Sequence, residues 1–288
     1  MKQFDFGSLD KKNINEIINI ADNLSKQNLE DKLNAYKIYQ SIIQLNQIPN
    51  IYQFPNTHLR GAVHQKIYEL EKVFNLNEYF FSQAGQDKFI NNLFFRGMKN
   101  GFFVEIGAYN GIDGSNCYFF EKFLNWSGLA IEPSPSQFLS LQKNRRCKCI
   151  NKAVAKKSEK IEFIDVIEGY TQMSGINNSS YQKTLEIIKK DLRTVLDKKI
   201  IQAATFSEIV EYNYLIDYLS IDVEGGEMDI LESIDFNLYK IKVLSVENNY
   251  PNEINYEKYL SEKGFNYIDN VGVDEIYFNK KYLTNLKF

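Results

Sequence analysis

Three stretches of the chain carry an apolar run onto a carboxylate and then into glycine or proline: FFVEIGAYNGIDG at 102–114, GLAIEP at 128–133 and LSIDVEGGE at 219–227. In the first, Glu105 precedes Gly107 and Gly111, and glycine lets a backbone turn sharply and approach a ligand with no Cβ in the way. The spacing Gly107-x-x-x-Gly111 is not GxGxxG, so a pyrophosphate loop is disfavoured. Glu105 itself repels phosphate and suits a cation. A ligand carrying an ammonium or sulfonium charge is the expectation. Glu132 follows about 25 residues later, near the spacing of an acid that accepts both hydroxyls of a ribose. Asn151 and Ala153, in NKAVA, stand after a third apolar run, where residues border an adenine; core packing explains Ala153 nearly as well.

The third stretch gathers Asp222, Glu224 and Glu227, and SVENN at 245–249 adds Glu247 and Asn248. Acids at the end of a buried strand are costly unless they meet water, a metal or a substrate hydroxyl. If the two strands are neighbours, Asp222, Glu247 and Asn248 form a hard-oxygen set suited to Mg²⁺ or Mn²⁺. Without metal, Asp222 or Glu247 acts as general base. Glu227 reads equally well as a first-turn acid favoured by the helix dipole. The two histidines, His58 and His64, lie outside this region, so carboxylates carry any proton step.

These residues need a scaffold that brings strand ends together. Strands are expected at Phe102 to Ile106, Gly128 to Ile131, Cys149 to Ala153, Lys160 to Ile164, Tyr218 to Ile221 and Val243 to Val246. Helices fit between several of them, at Tyr118 to Asn125, Pro135 to Lys143, Glu227 to Ile234 and Tyr256 to Lys263. Alternation of this kind predicts a Rossmann-like, doubly wound α/β fold with a mostly parallel sheet. FNYIDNVGVDEIYFNKKY, turning at Asn270 to Gly272, predicts an antiparallel edge. Residues 1–76 carry helix-period apolar positions (Ile17, Ile18, Ala21, Tyr39, Ile42) and are expected to form a small helical unit ahead of the domain at 77–288, punctuated by Pro49 and Pro55.

Composition narrows the classes. The chain has 34 basic and 37 acidic residues, a net charge of -3, which gives no field to hold a nucleic acid. Cys117, Cys147 and Cys149 are odd in number and lack zinc-module spacing, so they read as reduced thiols. No segment reaches the roughly 18 apolar residues of a membrane span and no signal peptide is evident, which points to the cytoplasm. A homo-oligomer is compatible with this composition.

The order of SQAGQDKFI at 82–90, FVEIGAYNGIDGSN at 103–116, AIEPSP at 130–135, NKAVA at 151–155, LSIDVEGGEMDIL at 219–231 and SVENN at 245–249 resembles a class I S-adenosylmethionine-dependent methyltransferase, and more closely the FkbM family. The resemblance covers most of residues 80–280 and none of the first 75. It implies methyl transfer from S-adenosylmethionine to an oxygen, often a sugar or polyketide hydroxyl, with a sugar or sugar-nucleotide acceptor in capsule or surface-glycan assembly. It also implies that Gln83, Gln86 and Asp87, otherwise a helix cap, border the donor together with Glu105, Gly107, Ala108, Gly111, Glu132, Pro133, Asn151, Ala153 and Asp222. Asp222, Glu224 and Glu247 then stand as catalytic residues, and Asp222, Glu247 and Asn248 as holders of a metal. YTQMSGINNSSYQ, a long polar connection around Met173, Ser174 and Gly175, is expected to close over the acceptor. The rival from another class is a non-catalytic Rossmann-like binding protein whose helical N-terminus engages a partner. A nucleotide-dependent oxidoreductase is disfavoured by the missing GxGxxG.

Overall fold

The computed structural model describes residues 13–45, 58–212 and 215–283, so Pro49 and Pro55 lie outside the described residues, as does the extreme N-terminus. α1 (Ile14–Ser25) and α2 (Leu29–Gln44) each begin on an asparagine cap: Asn13 accepts from the Glu16 amide and Asn28 from the Asp31 amide. Their apolar stripes bury Ile17, Ile18 and Ala21 against Ala35, Ile38, Tyr39 and Ile42, and α3 (Leu59–Val73) closes this cluster with Val63 and Leu70. Polar contacts join the same three helices, since Tyr39 Oη and Lys66 Nζ both donate to Asp22 Oδ1.

The chain then runs through α4 (Gln86–Ile90), which continues as a π-helical turn at Asn91–Phe95, into β1 (Phe102–Ile106), α5 (Tyr118–Leu124), β2 (Ser127–Ile131), α6 (Pro135–Asn144) and β3 (Lys148–Ile150). There follow β4 (Ala153–Val154), β5 (Lys160–Glu168), β6 (Gly175–Ile176), α7 (Gln182–Ile188), β7 (Val195–Ala204) and α8 (Phe206–Ile209). The last third holds β8 (Leu215–Ile221), α9 (Glu227–Ser233), β9 (Lys240–Glu247), α10 (Tyr256–Glu262), β10 (Phe265–Val271) and β11 (Asp274–Asn279).

Seven strands form one sheet in the order β3-β2-β1-β8-β9-β11-β10. β3, β2, β1, β8 and β9 are parallel neighbours, and β11 runs antiparallel to both β9 and β10. The mixed α/β architecture with a mostly parallel sheet is the expected one. The hairpin supplies the antiparallel end, with its second strand placed inside, against β9, and its first strand outermost. Strand order reverses between β1 and β8, the switch point beyond which ligands bind in open sheets of this kind.

A second sheet, β4-β7-β5-β6, departs from expectation. The run anticipated as one strand from Cys149 to Ala153 breaks at Asn151–Lys152, giving β3 to the main sheet and β4 to the second. Lys160 to Ile164 belongs to the second sheet, paired antiparallel with β7, a strand not anticipated at all. β7 begins VLDKKI and buries only its last two residues fully, so it has no apolar run to announce it.

α3 lies against the β10–β11 hairpin. Arg60 holds both oxygens of Asp269 at 2.6 and 2.8 Å, His64 Nε2 is 3.2 Å from the same carboxylate, and the Gly272 amide donates to Gly61 O at 3.0 Å. A Cβ on Gly61 would stand 2.0 Å from Gly272 O, so only glycine lets the helix and the turn meet this closely. His58 Nε2 reaches Asn248 O at 2.5 Å. α3 and its cap thereby brace two loops that border the site. Cys117, Cys147 and Cys149 are all free thiols, and among the described residues no helix is long and apolar enough to cross a membrane.

Candidate active site

The ends of β1, β2 and β8 converge on Gly107. The Gly107 and Ala108 amides both donate to Ile131 O, at 2.9 and 3.0 Å, and the Asp222 amide donates to Ile106 O at 3.0 Å. Gly107 has φ +86, and a Cβ there would lie 1.7 Å from Asp222 O. Any side chain would push the β1 and β8 ends apart. Beyond this junction opens a cavity of about 300 Å³.

Glu132 sits at the tip of β2 on the cavity wall, only 6% exposed. The Tyr109 amide donates to Oε2 and the Ser134 amide to Oε1, both at 2.8 Å, so the carboxylate plane is fixed by backbone. Burial pushes its carboxyl up to about 8, and buried Asp165 nearby adds to the rise. Ala153 and Pro133 line the same wall, joined by Phe163 of β5 and by Thr171 and Met173 of the β5–β6 connection, none of which the sequence marked as donor residues. Tyr109 Oη and Thr171 Oγ1, 2.7 Å apart, join the glycine loop to the connection that begins the expected lid.

At the other end of the cavity Asp222, Glu224 and Glu247 bring carboxylate oxygens within 4.8 Å of one another. Burial, together with the charge of neighbouring acids, raises Asp222 and Glu247 well above the usual carboxylate range, and burial with Glu227 nearby lifts Glu224 to about 7. Glu224 has φ +62, the left-handed region that ordinary residues avoid. Glu227 supports the turn around it, since Oε1 accepts from the Val223 amide at 3.1 Å and the Gly225 amide at 2.9 Å. Glu227, in the first turn of α9, is therefore also a brace for the acid-bearing turn. A further buried acid that the sequence did not mark, Asp274 of β11, accepts from Asn116 Nδ2 at 3.2 Å, and burial pushes it up to about 7.

Several expected site residues stand elsewhere. Glu105 borders the cavity but is not a free counter-charge for a cation: Arg145 Nη1 holds Oε2 at 2.7 Å, and Ser115 Oγ and the Cys117 amide donate to Oε1. Arg145 also binds Glu121 at 2.6 Å, so this buried trio answers most of its charge internally. Gly111 faces Leu141 and Arg145 rather than the cavity. Of the polar trio before β1 only Gln83 lines the cavity. Asp87 is fully buried and caps its own turn by accepting from the Phe81, Ser82 and Lys88 amides, while Gln86 Oε1 takes the Ala84 amide. Asn151 lies outside, its amide donating to Glu132 O and Pro133 O. Asn248 is turned away from the acid cluster toward Glu275, Ile254 O and the Tyr250 amide, and its neighbour Asn249 faces the cavity instead. Strand alternation explains the exchange, because β9 aims Glu247 at the cleft and the next side chain at the opposite side.

Residues 105–267 match the Methyltransferase FkbM domain. No curated protein sequence matches the chain. Among solved structures, methyltransferase FkbM from Methylobacillus flagellatus KT aligns with a TM-score of 0.43 at 10% identity, over 83% of this chain and 57% of that one. The N-terminal domain of human METTL16 aligns with a TM-score of 0.36 at 10% identity, over 97% of both chains. The chain thus spans 57% of the length of the first of these.

Proposed function

The chain belongs to the FkbM methyltransferase family, and from that premise we propose that it transfers a methyl group from S-adenosylmethionine to a hydroxyl of a sugar or sugar-nucleotide acceptor. The observation that carries this reading is the single cavity with Glu132 at one end and the Asp222–Glu224–Glu247 cluster at the other. The donor supplies an already activated methyl on a sulfonium, so the protein has only to align two reactants and receive a proton.

Glu132, its plane set by two amides, accepts the ribose hydroxyls, which replace water that burial denies it. Ala153, Phe163 and Met173 border the adenine as apolar walls. Gly107 permits the backbone approach that the rest of the donor needs, and Asp222 meets its charged end where Glu105, satisfied by Arg145, cannot.

Asp222 and Glu247 orient the acceptor hydroxyl and take its proton, a role suited to carboxylates whose burial makes them stronger bases than their exposed counterparts. Asp222, Glu224 and Glu247 fit Mg²⁺ or Mn²⁺ as a hard-oxygen set, because three buried acids this close repel one another without a cation. A divalent ion there would hold the acceptor hydroxyl and favour its ionised form.

Calorimetric titration of the full chain with S-adenosylhomocysteine, with and without Mn²⁺, tests the reading. Micromolar binding is the expected result. Absence of heat together with an unchanged melting temperature would leave a non-catalytic Rossmann-like binding protein as the better account.

A further inference from the structure

A second cavity, of about 350 Å³, opens on the far side of the acid-bearing turn. Its lining includes Ser179, Ser180, Lys183, Asn249, Tyr250 and Glu253. Asn249 lines both cavities, and consecutive residues of the acid-bearing turn border them, Glu224 the first and Gly225 the second. A Cβ on Gly225 would lie 3.2 Å from Ser180 O, so Ser180 packs directly against this turn.

We propose that this second cavity receives the body of the acceptor beyond its reacting hydroxyl, and that the acceptor is an uncharged polyhydroxylated molecule such as a glycan residue, not a nucleotide-activated sugar. The proposal rests on the methyltransferase reading and narrows its acceptor class. Serine hydroxyls and an asparagine amide both donate and accept, which matches sugar hydroxyls group for group. The Tyr250 ring adds a flat apolar face suited to the C–H face of a pyranose.

Charge disfavours the alternative. Among the described residues lining the two cavities, the cationic side chains are Lys152 and Lys183. Lys183 Nζ bonds both oxygens of Glu253, at 2.5 and 2.7 Å, and stands 4.5 Å from the centre of the Tyr250 ring. Lys152 lies on the first cavity, which also holds Glu132 and Ala153. With Glu227 and Glu253 on its lining against Lys183 alone, the second cavity has an excess of acidic over basic side chains. A diphosphate bound there would meet carboxylates without the paired donors that phosphate recognition requires.

The test uses the full chain saturated with S-adenosylhomocysteine and Mn²⁺, and saturation-transfer NMR with methyl glucoside, methyl galactoside, cellobiose and UDP as probes. We expect transfer to neutral saccharides and weaker transfer to UDP. Tyr250→Ala should weaken saccharide binding roughly tenfold, the loss typical of truncating an aromatic anchor, with S-adenosylhomocysteine affinity unchanged by calorimetry. Asn249→Ala, at an exposed position, repeats the measurement without risk to the fold. The proposal is overturned if no neutral saccharide contacts the protein, if UDP binds more tightly than the saccharides, or if both substitutions leave the saccharide signals unchanged. Loss of S-adenosylhomocysteine binding by the unaltered chain would instead remove the methyltransferase reading, and this inference with it.

Discussion

Arg145 and Glu105 form an ion pair with 2.7 Å between Nη1 and Oε2, and their side chains are only 0% and 4% exposed. Removing one partner of such a pair leaves a buried, uncompensated charge. Arg145→Met, which also strands Glu121, should cost about 3–5 kcal/mol of stability. A denaturant titration showing a loss under about 1 kcal/mol would mean that the trio is more hydrated than its burial indicates.

Buried acids make the ligand-free protein sensitive to alkali. Glu132 is raised from 4.5 to about 8 and Asp274 from 3.8 to about 7, each chiefly by burial. Between the ordinary and the raised values the folded chain holds more protons than the unfolded chain, so stability falls as pH rises. The contribution of these two groups to the melting temperature should therefore be complete below the ordinary carboxylate range and be lost progressively as pH rises to about 8. A melting temperature that climbs across that interval would contradict the assignment.

Glu132→Ala should weaken S-adenosylhomocysteine binding roughly ten- to a hundredfold, the scale of two ordinary hydrogen bonds. Calorimetry of the variant against the unaltered chain decides it, and equal affinities would move the ribose contact elsewhere.

Asp222→Asn should lower turnover by about 10²- to 10⁴-fold, with a smaller loss of donor affinity because it also removes the charge that meets the donor's cationic end. Because the substitution removes one of three mutually repelling carboxylates, the ligand-free variant should melt higher than the unaltered chain. Lowered stability with retained activity would reverse the role assigned to this residue.

Gly61→Ala drives a methyl into Gly272 O and should destabilise the chain by about 1–3 kcal/mol. Since α3 braces the hairpin that carries Asp274 and Val273, the acid cluster should also bind Mn²⁺ more weakly. Unaltered metal affinity alongside reduced stability would show that the helices support the fold without tuning the site.

Much of the site was legible because its residues sit on strong local signals. The run FFVEI, ending on an acid and followed at once by Gly107, reads as a buried strand feeding a tight turn, and it is β1. GLAIEP gave Glu132 its position, and the pair of runs ending at Asp222 and Glu247 gave two members of the acid cluster. Other residues were misassigned because their local signal had two outcomes. Asp87 and Gln86 have the types of a binding motif and of a turn cap alike, and their partners, backbone amides of residues 81, 82, 84 and 88, can be known only once the turn is folded.

The sequence by itself determined the order of the main-sheet strands and the helices between them, since hydrophobic period and glycine position are local properties that each segment expresses without reference to the others. Tertiary structure alone decided which strand ends became neighbours, that Arg145 would cancel Glu105, and that Glu224 rather than Asn248 would complete the acid cluster. The physical reason is that charge pairing and burial depend on distances across the sheet. Residues forty or more positions apart, such as Glu105 and Arg145, acquire those distances only when β1 and α6 pack.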